Sequence, residues 1–274
     1  MRRVRFRGPN GIEEGAVEGG VVLTRNGAEI EPLDLDRLTL PEPYELLIPV
    51  EPPEVWCAGV TYERSRDARI EESAAQDVYS LVYDAERPEL FLKDAACRRT
   101  VGPGEPIGVR SDSAWNVPEP EIGLVLGADL AIAGVTIGND VSSRDIEGAN
   151  PLYLPQAKVY AGACALGPAV VSPPPDDAFV IRMRITAPDG SELFAGETSS
   201  ARMRRGFPEL VEFLVRDNPV PPGSVLLTGT GLVPPDDFTL EPGHVVEIEV
   251  PGIGVLANPV VPASSLVERS AVHV

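Results

Sequence analysis

PEPEIGLVLGADLAIAGVTIGND, residues 118–140, is the stretch on which the reading of this chain turns. Glu119 and Glu121 stand two apart, so in a strand both carboxylates point to one face. Pro120 between them removes a ladder donor, which suits a strand entry or an edge. An apolar run, Ile122 to Leu126, leads into the turn signal Gly127-Ala128-Asp129. A second run, Ile132 to Ile137, stops at Gly138-Asn139-Asp140. If the two runs pair as a hairpin turning near Asp129–Leu130, Asp140 comes back beside Glu119. Three like charges gathered at one end of a sheet repel, and a cation would hold them together. Hard oxygen ligands in that number suit Mg2+, Mn2+ or Ca2+. An acidic strand entry facing water has the same spacing, and spacing by itself leaves both readings open.

The surrounding chain sets the frame. Its 274 residues suffice for one large domain, or one large and one small. Gly 26 and Pro 29 point to many turns and short strands. A net charge of −19 repels phosphate backbones and argues against a nucleic-acid partner. Cys57, Cys97 and Cys164 are widely spaced with no Cys-x-x-Cys, which suggests free thiols in a reducing compartment. The basic start, Met1 to Arg7, is followed by no apolar signal region. No apolar run reaches the ~18 residues of a membrane span. A cytoplasmic protein without membrane contact is expected.

Val21-Val22-Leu23 followed by Asn26-Gly27 predicts a hairpin. Residues 1–52 read as a small N-terminal β subdomain ending in a proline-rich linker, and residues 53–274 as the main domain. Strands are predicted at Val55–Val60, Leu90–Leu92, Ile107–Val109, Gly162–Val171, Phe179–Ile185, Val225–Thr228 and Val245–Val250. Residues 63–86 are charged and helix-prone, with a helix start at Ser73. A second helix runs from Pro208 to Arg216, with Phe207, Leu210, Val211 and Leu214 as its apolar stripe. Asn150-Pro151 and Leu154-Pro155 read as a rigid loop before Lys158. Short strands dominate, which gives a predominantly β, α+β fold and not a doubly wound one.

Histidine occurs only at 244 and 273, away from any candidate nucleophile in sequence, which disfavours a Ser-His-Asp or Cys-His mechanism. Proton transfer then falls to Glu or Lys. Lys158, among small and apolar residues, and Glu89, after a helix-breaking proline, are the candidates. For each, the commoner reading is an ordinary surface charge. Gly229-Thr230-Gly231 lacks the Gly-Lys-Ser/Thr ending of a phosphate loop, but its small residues let backbone N–H groups approach a ligand carboxylate.

PEPEIGLVL at 118–126, GNDVSSRD at 138–145, QAKVYAG at 156–162 and LLTGTG at 226–231 occur in the order found in the fumarylacetoacetate hydrolase family. Residues 53–260 resemble that family. Within it, GVTYERSR at 59–66, VYDAERPE at 82–89, VRSDS at 109–113, NPLYLPQ at 150–156 and VRDNPVP at 215–221 are most similar to the 2-keto-3-deoxy-D-arabinonate dehydratase branch. The resemblance implies a mixed β-sandwich roll that assembles as a homodimer or homotetramer. It implies Glu119, Glu121 and Asp140 as ligands of Mg2+, with Mn2+ or Ca2+ as alternatives. It implies Glu89 as an acid/base, Lys158 as a substrate contact and Thr230 as part of the substrate carboxylate pocket; Lys158 as the partner acid/base, and Arg64, Ser65, Arg66 and Ser111 as substrate-binding residues, are further expectations. The family's C–C hydrolases carry a histidine where this chain has Ser65, which argues against hydrolysis.

The implied substrate is a small 2-keto acid, whose carboxylate and keto oxygens chelate one cation. Loss of a C3 proton to Glu89 or Lys158 gives a metal-stabilised enolate, and a C4 hydroxyl then leaves as water. From a 2-keto-3-deoxy pentonate the product is 2,5-dioxopentanoate. The alternatives are cleavage of an acylpyruvate C–C bond, decarboxylation of oxaloacetate, and a cation- or keto-acid-binding protein without turnover.

Overall fold

The structure is a computed structural model that describes residues 1–63 and 82–271, with side chains to residue 267. The predicted helix start at Ser73, and Arg64, Ser65 and Arg66, lie outside the described residues. The hairpin read from residues 118–140 lies inside a twelve-stranded sheet. Strand Pro120–Leu126 pairs antiparallel with Ile132–Asp140, with Pro120 opposite Asn139 and Glu121 opposite Gly138. The turn falls where expected: Gly127 N donates to Ala131 O at 2.9 Å, and Leu130 takes φ 60°.

On one side of the hairpin lies Cys164–Val171, then Arg2–Gly8. On the other lie Val225–Leu227, Glu54–Gly59 and Glu89–Ala95, in that order. Every residue of Pro120–Leu126 is buried, because both faces of the sheet are covered, and this explains why the strand reads as an apolar run without alternation. A five-stranded sheet packs on one face. Its strand Val180–Thr186 alternates, as expected of a half-exposed strand: Ile181, Met183 and Ile185 point inward and Arg182 and Arg184 outward. Ile122, Leu124 and Ile137 of the large sheet share a core with Ile181, Ile185 and Ile248 of the smaller one. This is the mixed β-sandwich of an α+β, mainly β chain.

The N-terminal meander, Arg2–Gly8, Gly11–Glu18 and Val21–Thr24, joins the large sheet through Arg2 opposite Val171. Val4, Phe6, Val22, Ile30 and Leu38 cluster with Ala169 of strand Cys164–Val171, so the meander's core runs into that of the large sheet. The Asn26-Gly27 hairpin forms, with Gly27 at φ 84° and Thr24 N donating to Ala28 O at 2.9 Å. The predicted helix after Gly206 is Phe207–Val215, and it buries Leu210, Val211 and Leu214.

The stretch read as a rigid loop before Lys158 is helical instead. Pro151–Tyr153 is a 3-10 turn and Leu154–Lys158 a short α-helix. Each proline stands in a first turn, where its missing N–H costs nothing, and the Asn150 side chain accepts from Leu152 N at 2.9 Å. Strand Glu89–Ala95 runs past the predicted Leu92 and carries Lys93 and Asp94 into the interior. Cys57 and Cys164 are buried free thiols, and Cys97 is a half-buried one. Among the described residues no helix is long and apolar enough to cross a membrane.

Candidate active site

Glu119 immediately precedes strand Pro120–Leu126, and Asp140 closes the strand paired with it. Asp140 N donates to Glu119 O at 3.0 Å, and Asn139 Oδ1 accepts from Glu119 N at 3.1 Å. One carboxylate oxygen from each of Glu119, Glu121 and Asp140 lies within 4.8 Å of the other two. All three residues are 3% exposed or less, so the alternative of an acidic strand entry in water is excluded.

Buried carboxylates need partners. Glu119 Oε1 accepts from Arg144 Nη2 at 2.8 Å. Lys158 Nζ donates to Glu119 Oε2 at 2.7 Å, Asp140 Oδ2 at 2.9 Å and Ser142 Oγ at 2.5 Å. Lys93 pairs with Asp140 Oδ1 and donates to Val141 O at 3.0 Å. Gly229 N donates to Glu121 Oε2 at 2.7 Å. Burial, then the charges of Asp140 and Glu119, hold the Glu121 carboxyl well above the usual carboxylate range; Lys158 and the Gly229 N–H oppose this only in part. The uncompensated repulsion sits where three hard oxygens converge, and among the described residues no imidazole or thiolate joins them. That donor set fits Mg2+, Mn2+ or Ca2+, and a divalent ion would relieve the strain on Glu121.

The same cavity is lined by Glu89, Gly59, Glu147, Lys158, Gly229 and Thr230. Lys158 reaches it as the last residue of the short helix, 1% exposed, which corrects the surface reading of this lysine. Gly229 stands at φ 88°, and a Cβ there would fall 2.1 Å from Thr61 Oγ1, so the loop that presents its N–H to Glu121 requires glycine. Thr230 Oγ1 donates to Leu232 O at 3.0 Å and accepts from Leu232 N at 3.2 Å, which fixes the hydroxyl at the cavity wall. Ser111 sits in an exposed turn and does not line the cavity.

Glu89 heads its strand opposite Gly59. A Cβ on Gly59 would lie 2.1 Å from Glu89 Oε2, the far end of a flexible side chain. Gly59→Ala is therefore expected to displace that carboxylate while the backbone stays. Turnover should fall by roughly tenfold to a hundredfold, as a misplacement of about 1 Å costs, with little change in melting temperature. An unchanged kcat would mean that the position of Glu89 does not matter.

Sequence reading missed Lys93, Arg144 and Glu147, all buried at or beside this centre. Arg144 and Glu147 stand one turn apart on a helix, Arg144–Ala149, that was not predicted. Lys93 had one available signal, a lysine directly after the apolar run Leu90-Phe91-Leu92.

The chain is similar to proteins of known name. A 2-keto-3-deoxy-D-arabinonate dehydratase solved with magnesium and 2,5-dioxopentanoate superposes with a TM-score of 0.83 at 35% identity, over 95% of this chain and 98% of that one. A Saccharolobus solfataricus protein named 2-dehydro-3-deoxy-D-arabinonate dehydratase is 46% identical over 221 residues, 77% of this chain and 73% of its own. A Haloferax volcanii protein with the name "Probable 2-keto-3-deoxyxylonate dehydratase" is 52% identical over 215 residues, 78% of this chain and 74% of its own. Residues 54–261, which hold every residue of the buried centre, match the family described as fumarylacetoacetate (FAA) hydrolase C-terminal, and the chain belongs to that family.

Proposed function

We propose that this chain is a magnesium-dependent dehydratase of a 2-keto-3-deoxy sugar acid, of the 2-keto-3-deoxy-D-arabinonate type, giving 2,5-dioxopentanoate. The observation that carries the reading is the buried carboxylate triad sharing one cavity with Glu89 and Lys158. Relatives named as dehydratases of such acids, and a solved one holding magnesium and the dioxo product, support it.

Glu119, Glu121 and Asp140 would hold the ion. When bound, Mg2+ supplies Lewis-acid stabilisation of the negative charge that develops on the keto oxygen. The remaining chemistry belongs to the protein. Lys158 directs three donors at Glu119, Asp140 and Ser142, which accounts for all the protons of an ammonium. It therefore acts as a fixed cation and proton donor, not as a base. Glu89, half-buried and at the cavity wall, takes the C3 proton. The C3–H electron pair forms the C2–C3 double bond as the C2=O pair moves onto the keto oxygen; when the C4 hydroxyl, protonated by Lys158 or a water, leaves as water, the C2–C3 pair becomes the C3–C4 double bond and the keto group re-forms. Loss of C4–OH in this way gives a product one water lighter, which tautomerises to the dioxo acid. Thr230 and the Gly229 loop bound the end of the cavity where the substrate carboxylate docks. Arg64, Ser65 and Arg66 are proposed as substrate contacts because they fall in the stretch 59–66 that is similar to the dehydratase branch.

The test is incubation of a 2-keto-3-deoxy pentonate with Mg2+ and with chelator. Formation of 2,5-dioxopentanoate with Mg2+ and its absence with chelator is the expected outcome. Acylpyruvate cleavage, or CO2 release from oxaloacetate, at a comparable or higher rate would overturn the assignment. Residues 1–52 are taken as a small β subdomain on the sequence reading, docked on the large sheet through Arg2 opposite Val171 and through Ala169. The family resemblance supports a homodimer or homotetramer, which light scattering on the purified protein would test, and three free cysteines support a cytoplasmic setting.

A further inference from the structure

The three carboxylates are held in a common pattern. One oxygen of each is committed to the protein frame: Glu119 Oε1 to Arg144, Asp140 Oδ1 to Lys93, and Glu121 Oε2 to the Gly229 N–H. The second oxygens of Glu119 and Asp140 converge on Lys158, which lines the cavity. Lys93 does not line the cavity, and its side chain is 0% exposed. A fully buried ammonium must keep its countercharge. Lys93 stands at a bulge, between Asp94 opposite Val55 and Leu92 opposite Trp56, and the next carboxylate in the chain is Asp94. It is taken up by Arg99, by Thr100 N at 2.9 Å and by Thr100 Oγ1 at 2.7 Å, so it offers Lys93 no alternative.

We propose that Lys93 and Arg144 are positioning residues that limit Asp140 and Glu119 to one ligand oxygen each, and thereby make the site prefer Mg2+ and Mn2+ to Ca2+. The inference rests on the reading of Glu119, Glu121 and Asp140 as a divalent-cation site. Ca2+ gathers about six to eight oxygens and readily takes both from one carboxylate, whereas Mg2+ is satisfied by about six in near-octahedral array. For Asp140 to chelate with both oxygens it must give up Lys93, leaving that ammonium buried with the Val141 carbonyl as its remaining hydrogen-bond acceptor. For Glu119 to do so it must give up Arg144, whose side chain is 4% exposed. Both exchanges are costly, and neither is required by an ion content with single oxygens.

Titration calorimetry of Mg2+, Mn2+ and Ca2+ against chelator-stripped protein, with no substrate present, tests this. Wild type is expected to bind Mg2+ more tightly than Ca2+. Lys93→Met should shift the ratio of the two dissociation constants toward Ca2+ by roughly tenfold or more, the usual scale for losing a partner of a metal ligand. Lys93→Gln, which keeps a polar N–H group facing the Asp140 Oδ1 side of the ion pair, should keep most of the wild-type ratio. A Lys93→Met ratio unchanged within about twofold overturns the proposal. Should Lys93→Met not fold, Arg144→Met frees Glu119 Oε1 in the same way, and the same ratio decides. A wild type that binds none of the three ions defeats the metal reading itself. One that binds Mg2+, with a ratio that no substitution moves, defeats only this inference.

Discussion

Glu119→Gln is expected to abolish Mg2+ binding and to lower turnover by about a thousandfold or more, the roughly 4 kcal/mol scale of Lewis-acid stabilisation. The secondary structure should survive, since Glu119 lies outside the apolar core that joins the two sheets. Stability will not be untouched. Glu119 faces Arg144 with one oxygen and Lys158 with the other, all three side chains being almost completely buried. The amide of glutamine has one acceptor and turns its NH2 toward a cation. Breaking a buried pair costs about 3–5 kcal/mol. The lower end applies here, because Lys158 keeps Asp140 and Ser142. Calorimetry with Mg2+, circular dichroism, and thermal unfolding in chelator separate the three effects. A Glu119→Gln protein that binds no Mg2+ yet turns over at the wild-type rate would remove the ion from the mechanism.

How much of this centre could be read from the sequence follows from chain distance. Glu119, Glu121 and Asp140 belong to one hairpin, so period-two alternation and a single turn at Asp129–Leu130 suffice to bring them together. Thr230 and Lys158 come from remote elements, and only the family resemblance placed them. Lys93 and Arg144 were not found, for a physical reason. A buried cation is recognised by its countercharge, and the countercharges here are Asp140 and Glu119, 47 and 25 residues away along the chain by their numbering. The helix that carries Lys158 was hidden by its own prolines, which read as loop signals in isolation but sit harmlessly in first turns. The strand alternation of Val180–Thr186 and the stripe of Phe207–Val215 were legible because each is a local pattern facing one core.

Glu89→Gln is expected to stop proton exchange at C3 while leaving Mg2+ binding in place. Pyruvate in D2O with Mg2+ isolates the step, since its methyl group offers a C3 proton and it has no C4 hydroxyl to lose. Wild type should exchange that proton, and Glu89→Gln should slow the exchange by about a hundredfold to ten thousandfold, the usual contribution of a positioned general base. Lys158 cannot substitute, because its ammonium protons are already directed at Glu119, Asp140 and Ser142. Gln at position 89 keeps the size of the side chain and its place above Gly59, so a loss of exchange with unchanged Mg2+ affinity speaks to proton transfer and not to packing. Exchange at the wild-type rate in Glu89→Gln would instead assign the C3 proton to Lys158 or to a water held by it. The three donor bonds of Lys158 would then have to open during turnover.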